Sequence, residues 1–449
     1  MDALPRKVLV IAYYFPPMGL SGVQRTLKFV KYLPQFGWQP TVLTVTPTGY
    51  YAHDPSLLEE LEGLNIGIVR VGSLDPNRMF KNKGTVKMPS ERWRKVLTYL
   101  SDLFFIPDNK IGWKRKALKA IRDTFKNEHF DVVFATAPPF TDFLIGKELH
   151  EKFHAPLVLD YRDPWHEYPF KYYPTPWHRW RNYLLEKDAL TASNKVITTN
   201  RRVKEMILKR YEFLKHDDIS ILPHGYDPQD FESVTVHRTD RRFRITHAGV
   251  FYGDRTPRYF LDALKKVVSE SEEMKNSIEA CFVGHFPREY EKYVRALKLE
   301  DNVALRGYLS HKDCVRELLS SDVLWGMIKN DSQSPGKFYE YIGARKPILA
   351  CVPEGFVKQT VLETGAGTVT PPDDVDAIAE AIRNLYRLHK EKKLPVPDEE
   401  IVKRYDRKEL TKELAHLLSF QIDITPQVEP EHAAPEQSPP EQSQLQIKA

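Results

Sequence analysis

The chain is expected to fold as two doubly wound α/β domains, each a parallel sheet covered by helices on both faces, followed by a C-terminal helix and a disordered tail. Three observations lead there. Short apolar runs alternate with longer segments of helical period, and the runs are apolar throughout rather than on every second residue. That is the pattern of strands buried on both faces of a parallel sheet. The alternation then starts again after a polar stretch at residues 226–242 that has no periodicity. Finally, 449 residues are too many for a single domain of about 150 residues.

In the first half, strands are expected over residues 7–13 (KVLVIAY), 41–45, 66–71, 131–135, 156–160, 195–198 and 219–222. A helix over residues 24–36 places Leu27, Val30 and Leu33 on one side. In the second half, strands are expected over 243–247, 278–283, 303–306, 323–327, 347–352 and 367–369, with amphipathic helices over 259–269 and 375–388. Residues 401–420 read as a final amphipathic helix, with Asp406 as N-cap of its main part. Beyond about Asp423 the chain is rich in Pro, Glu and Gln and cannot bury a core. The expected units are therefore 1–228, 229–400, a helix 401–422 packing back, and a tail 423–449.

Composition narrows the function classes. The three cysteines, Cys281, Cys314 and Cys351, form no CxxC pair. This excludes a disulfide scaffold or a cysteine-rich zinc site and fits a reducing compartment. The N-terminus lacks the long apolar region of a signal peptide. No apolar stretch reaches the ~18 residues of a membrane span, so a cytoplasmic protein is expected. The net charge of +5 is unevenly spread, with Lys110, Lys114, Arg115, Lys116, Lys119, Arg122 and Lys126 in one segment. This is either a solvated helix face or a contact with anionic lipid or substrate. Two insertions, 80–112 and 168–181 (YPFKYYPTPWHRWR), break the α/β rhythm. They read as a packed aromatic loop plus an ordinary helix, or as an acceptor site or peripheral membrane contact.

Open α/β sheets bind ligands beyond the C-terminal ends of their strands. After the first strand, Gly19 and Gly22 free a loop at a helix start, with Arg25 on the first turn. After the strand at 156–160 come Asp160, Arg162 and Asp163 (DYRDPW). Asp160 or Asp163 could orient ligand hydroxyls and Arg162 could pair with a carboxylate or phosphate, or an Arg162–Asp163 ion pair could simply fix the loop. In the second half, Gly249, Gly253 and Arg255 (AGVFYGDRT) follow the first strand. Ser334-Pro-Gly-Lys-Phe-Tyr-Glu340 suits an anion-binding helix start: Ser334 at the N-cap, Pro335 at the first helical position, and Gly336 keeping the end open. Lys337 and Glu340 then share a face, for diphosphate and ribose, or as a solvent-facing pair. His224-Gly225 sits at the seam as a hinge. Asp374-Val-Asp376 imitates a metal motif, but is expected to start the helix that follows, where acids suit the dipole. No metal site is expected.

Taken together, SGVQR after the first strand, the APLVLDYRDPW run, PHGYD, HAGVFYGDRTPRYFLDAL and SPGKFYEYIGARKPILA resemble the group 1 (family 4) glycosyltransferases, in a branch acting in bacterial polysaccharide assembly. The resemblance spans about Lys7 to Phe420. It implies the GT-B architecture, two Rossmann-like domains facing across a cleft. It also implies retaining transfer from a nucleoside-diphosphate sugar with no obligatory metal or other cofactor. Glu340 matches the second glutamate of the family's EX7E motif and would hold the ribose. Arg255 lies close to the basic pair that neutralises the leaving diphosphate, with Lys337 supplementing it. Gly22 would approach the donor phosphate from the other domain. Arg162 and Asp163 fall near where many members place a histidine that contacts the donor sugar.

Two departures stand out. The first EX7E glutamate falls at Ser332, and His224 replaces the usual asparagine of the hinge. The implied partners are a nucleotide sugar and a glycan or lipid-linked acceptor, with no nucleic acid, at the cytoplasm or the inner membrane face. The alternatives are a non-catalytic sugar-binding or scaffold protein of this fold, a sugar-nucleotide epimerase of this fold, and an NAD-linked oxidoreductase, for which no dinucleotide fingerprint follows any strand.

Overall fold

The computed structural model describes residues 5–19, 21–50, 52–75, 91–232, 234–236, 238 and 242–424. The first sheet comprises β1 (Arg6–Ile11), β2 (Trp38–Val45), β3 (Gly67–Val71), β4 (Val132–Ala137), β5 (Leu157–Tyr161), β6 (Lys195–Thr198) and β7 (Ile219–Ile221). Its order is β3-β2-β1-β4-β5-β6-β7, every pair parallel. The second sheet comprises β8 (Phe243–Ala248), β9 (Ile278–Val283), β10 (Val303–Gly307), β11 (Val323–Met327), β12 (Ile348–Cys351) and β13 (Gly367–Thr370). Its order is β10-β9-β8-β11-β12-β13, again parallel throughout. Each strand falls where the apolar runs place it. The runs are legible because β4, β5, β9, β11 and β12 are buried at every residue, with helices closing both faces.

In both sheets the strand order reverses beside the first strand, between β1 and β4 and between β8 and β11. A crevice opens beyond the strand ends at such a point. The loops leaving β8 and β9 approach closely there. Gly284 has φ +121°, and a Cβ on it would lie 2.1 Å from the Gly249 carbonyl oxygen. Only glycine fits that position.

The C-terminal segment ties the halves together. The expected helix over 401–420 is interrupted, and Glu399–Lys403 and Arg407–Ile424 are separate helices. The reason lies in the seam. Tyr226 N–H donates to the Tyr405 carbonyl (2.9 Å), and Arg407 N–H donates to the Tyr226 carbonyl (2.8 Å). This bridge takes up main-chain groups that a continuous helix would use itself. Gly225 permits it, since a Cβ there would meet the Tyr405 oxygen at 2.2 Å. Asp406 opens the second helix by accepting from Lys408 N–H (2.7 Å). That helix buries Leu410, Leu414 and Leu418 in the core of the first sheet. Asp374 caps the helix Val375–Lys390 by accepting from Ala377 N–H, as its acidic motif suggests. The tail beyond Ile424 and the 80–90 part of the first insertion lie outside the described residues.

Candidate functional site

A cavity of about 200 Å³ lies between the halves, walled by Gly19, Gln24, Asp54 and Leu57 on one side and by the loops after β8, β9, β10 and β11 on the other. Its second-domain wall carries the cations. Arg255, Gly249, Lys337 and Glu340 all line it, as does Pro335. Glu340 is buried and receives the Lys337 ammonium, which also lies 3.7 Å from Cys314 Sγ. Burial alone would lower the Lys337 pKa, but Cys314 and Glu340 outweigh it and hold the ammonium above its ordinary value. Lys337 therefore stays charged. Arg255 donates to Gln333 Oε1 (2.7 Å) and lies over the Tyr252 ring, while its buried Nε has no hydrogen-bond partner among the described residues.

The helix Gly336–Gly343 aims its first turn at this wall, with Pro335 as cap residue and no side-chain cap. This corrects the placing of Ser334 and Pro335. Ser334 does not cap, because its hydroxyl bonds to the Tyr339 hydroxyl 2.8 Å away, and the helix starts at Gly336 rather than Pro335. An uncapped N-terminus leaves main-chain N–H groups and the positive dipole end for an anion. Ser332, standing where the resemblance expects a glutamate, turns inward. Its hydroxyl and N–H both bond to Asn330 Oδ1 (2.6 and 2.8 Å), and its carbonyl accepts from Asn200 (3.1 Å).

The first domain behaves differently, and three expectations are corrected there. Arg25 and Asp160 do not face a ligand. They form an ion pair with Arg25 fully buried and Asp160 nearly so (2.8 Å), to which Thr136 also donates. The remaining Arg25 donors go to the carbonyls of Leu222 and Pro223. Arg162 is likewise spent on main chain, donating to the carbonyls of Gly22, Ala137 and Pro138. It clamps the glycine loop rather than offering a free guanidinium. Gly22 is not on the cavity wall; Gly19 is, where a Cβ would press within 2.6 Å of the Tyr308 hydroxyl of the other domain. Asp163 is not among the residues that line the cavity. Burial raises its pKa, while Arg162 and, from the opposite domain, Arg255 act to lower it.

Several residues of the site carried no sequence signal. His247 lines the cavity, with Nδ1 on the Trp325 carbonyl (3.0 Å) and its ring stacked on Phe251. Burial, helped by Arg255 and Lys337, pushes its pKa down to about 4, so it is neutral. Asp54 accepts from His311 N–H (2.8 Å) across the cleft, and both line the cavity. The loops after β9 and β10, which supply Gly284, Tyr308 and His311, stand at strand ends too, but no charge-dense run marks them.

Beside the cavity, a cluster of charges joins the domains. Lys28 Nζ meets Glu60 (2.6 Å), Asp227 (2.8 Å) and Asp230 (2.6 Å), and Lys31 meets Glu60 and Asp227. His311 Nε2 adds a bond to Asp230 (3.0 Å). Glu60, Asp227 and Asp230 are close enough to draw a cation. Lys28 and Lys31 already fill that role, so the cluster reads as a hinge contact. His224 packs edge-on against Tyr339, and burial beside Arg25, Arg407 and Arg162 holds it far below the ordinary histidine pKa. It is a neutral, structural seam residue.

Comparison with known proteins bears on the family and the fold. The model of Glycosyltransferase Family 4 matches residues 21–230, and that of Glycosyl transferases group 1 matches residues 242–387. Together the two matches mark both halves of the chain as similar to glycosyltransferases, enzymes that transfer sugars. No curated protein is significantly similar in sequence. Among solved structures, HepE of Anabaena in complex with UDP and glucose is similar at 13% identity, covering 92% of this chain and 100% of that one, with a TM-score of 0.62. A glycosyltransferase of Rickettsia africae matches at 14% identity, 94% and 99% coverage, and TM-score 0.60. WaaG, a glycosyltransferase involved in lipopolysaccharide biosynthesis, matches at 13%, 92% and 99%, with TM-score 0.55. At these identities the likeness establishes the fold, GT-B.

Proposed function

We propose that this glycosyltransferase moves a sugar, with retention, from a nucleoside-diphosphate sugar to a glycan or lipid-linked acceptor of cell-surface polysaccharide synthesis, at the cytoplasmic side of the membrane. The observation that carries the reading is the convergence of Arg255, Lys337, Glu340 and an uncapped helix start on one interdomain cavity. The diphosphate would sit against Arg255, Lys337 and the N–H groups of the helix Gly336–Gly343, with the ribose hydroxyls on Glu340. As the anomeric C–O bond breaks, negative charge grows on the diphosphate. Preorganised cations and N–H dipoles stabilise that charge more as it develops, which lowers the barrier. The acceptor hydroxyl attacks from the face the phosphate leaves and passes its proton to the departing phosphate oxygen.

HepE was solved with UDP, which makes uridine the first base to try. A thermal-shift panel of UDP, GDP, ADP, dTDP and CMP sugars identifies the donor, since ligands that bind only the folded chain raise its melting point by mass action. Product analysis with and without acceptor then separates transfer from epimerisation. If no nucleotide sugar binds, or if one binds and no product forms with any acceptor, the reading gives way to a non-catalytic sugar-binding protein.

A further inference from the structure

The helix Glu91–Phe104 is turned inside out. At 100° per residue, Val96, Leu100, Trp93, Phe104 and Leu97 fall within one arc of about 100°. All five are exposed, Trp93 at 65% and Phe104 at 73%. The helix touches the protein through other residues. Asp102 accepts from Tyr172 N–H (2.8 Å), and Arg94 lies over the Tyr252 ring of the other domain at 5.8 Å. His178 Nε2, bonded to the Leu103 carbonyl (3.1 Å), ties the start of the helix Pro176–Ala192 to the same place. That start adds Trp177 and Trp180, each 55% exposed. A surface helix ordinarily buries its apolar arc, and a contiguous apolar patch of this kind marks an interaction site.

We infer that this face seats in the surface of an anionic bilayer. The rim supplies the charge complementarity. Arg179 and Arg181 are exposed beside Trp177 and Trp180, and residues 168–181 contain Lys171, Arg179 and Arg181 without a single Asp or Glu. Tryptophan with flanking Arg and Lys suits the headgroup boundary, where the ring bodies are apolar and the basic heads meet lipid phosphate. A second copy fits less well, because in a two-fold dimer the patch would meet itself and set these cations against each other. The patch ends at the cleft mouth, where Arg94 meets Tyr252. Resting on the transfer reading above, this makes the acceptor a lipid-carried one, delivered from the membrane plane into the cleft.

The test is flotation of the full chain with vesicles of phosphatidylcholine alone, or of phosphatidylcholine mixed with phosphatidylglycerol, alongside size-exclusion chromatography. The wild type is expected to float with the mixed vesicles and much less with phosphatidylcholine. Leu97→Glu/Leu100→Glu, on the exposed arc, is expected to cut flotation by about ten-fold or more, with melting point and nucleotide binding unchanged. Absence of wild-type flotation, or equal flotation of both proteins, overturns the inference. So does a wild-type dimer that the variant abolishes without any vesicle binding. Loss of nucleotide binding in the wild type, with flotation intact, would instead count against the transfer reading and leave the bilayer surface standing.

Discussion

The two domains present the same signal in sequence, charged residues directly after a buried parallel strand, and use it in opposite ways. At the end of β5 and on the helix after the first glycine loop, Asp160, Arg162 and Arg25 spend their charge on one another and on main-chain carbonyls. After β8 and β11, Arg255 and the Lys337–Glu340 pair still line a cavity. The difference teaches that a charge at a strand end reports only that something must satisfy it. Whether the partner is the protein or a ligand depends on the residues brought opposite it, which can lie 135 residues away, as for Arg25 and Asp160.

The largest effect is expected on the sealed side. Asp160→Asn leaves Arg25 buried without its counter-charge and should destabilise the fold by about 3–5 kcal/mol, seen as a lower melting point. Arg255→Ala, on the open side, should leave the melting point nearly unchanged. It should weaken nucleoside-diphosphate binding by about 1.5–3 kcal/mol, roughly ten- to a hundred-fold in Kd, measured by calorimetry. A swap of these two outcomes would invert the comparison.

Two smaller effects sharpen it. Burial would lower the His311 pKa, but its bond to Asp230 raises it above the ordinary 6.5. A raised histidine gives stability that is complete below the unfolded value and is lost as pH rises through the folded one. Wild-type melting should therefore fall as pH climbs above neutrality by an amount worth about 1 kcal/mol, and His311→Ala should flatten that slope. Smallest is Ser332→Ala, which removes one bond to Asn330, costs about 1 kcal/mol or less and leaves nucleotide affinity unchanged. Weakened binding in this variant would place Ser332 at the donor after all.

Much of the fold was legible because strands buried on both faces cannot hide, and the second appearance of the α/β rhythm marks the second domain. Half of the site was legible for a related reason: Arg255, Lys337 and Glu340 sit on local features, a glycine loop and a helix start, that sequence spacing describes. What was not legible depends on distant pairing. Arg162 looks free until Gly22 and Pro138 arrive beside it. Ser334 looks like a cap until Tyr339 takes its hydroxyl. The helix Glu91–Phe104 has an amphipathic period, yet period alone does not say which side faces the protein.

The central claim is that the cavity-lining cations of the second domain hold the donor's diphosphate. Its most direct test is calorimetric titration of the nucleoside diphosphate that binds best, beside the same nucleoside without phosphates, onto the wild type and Arg255→Ala/Lys337→Ala. The diphosphate should lose affinity by at least about ten-fold while the nucleoside's weak binding is unmoved. Equal diphosphate affinity in both proteins would contradict the account.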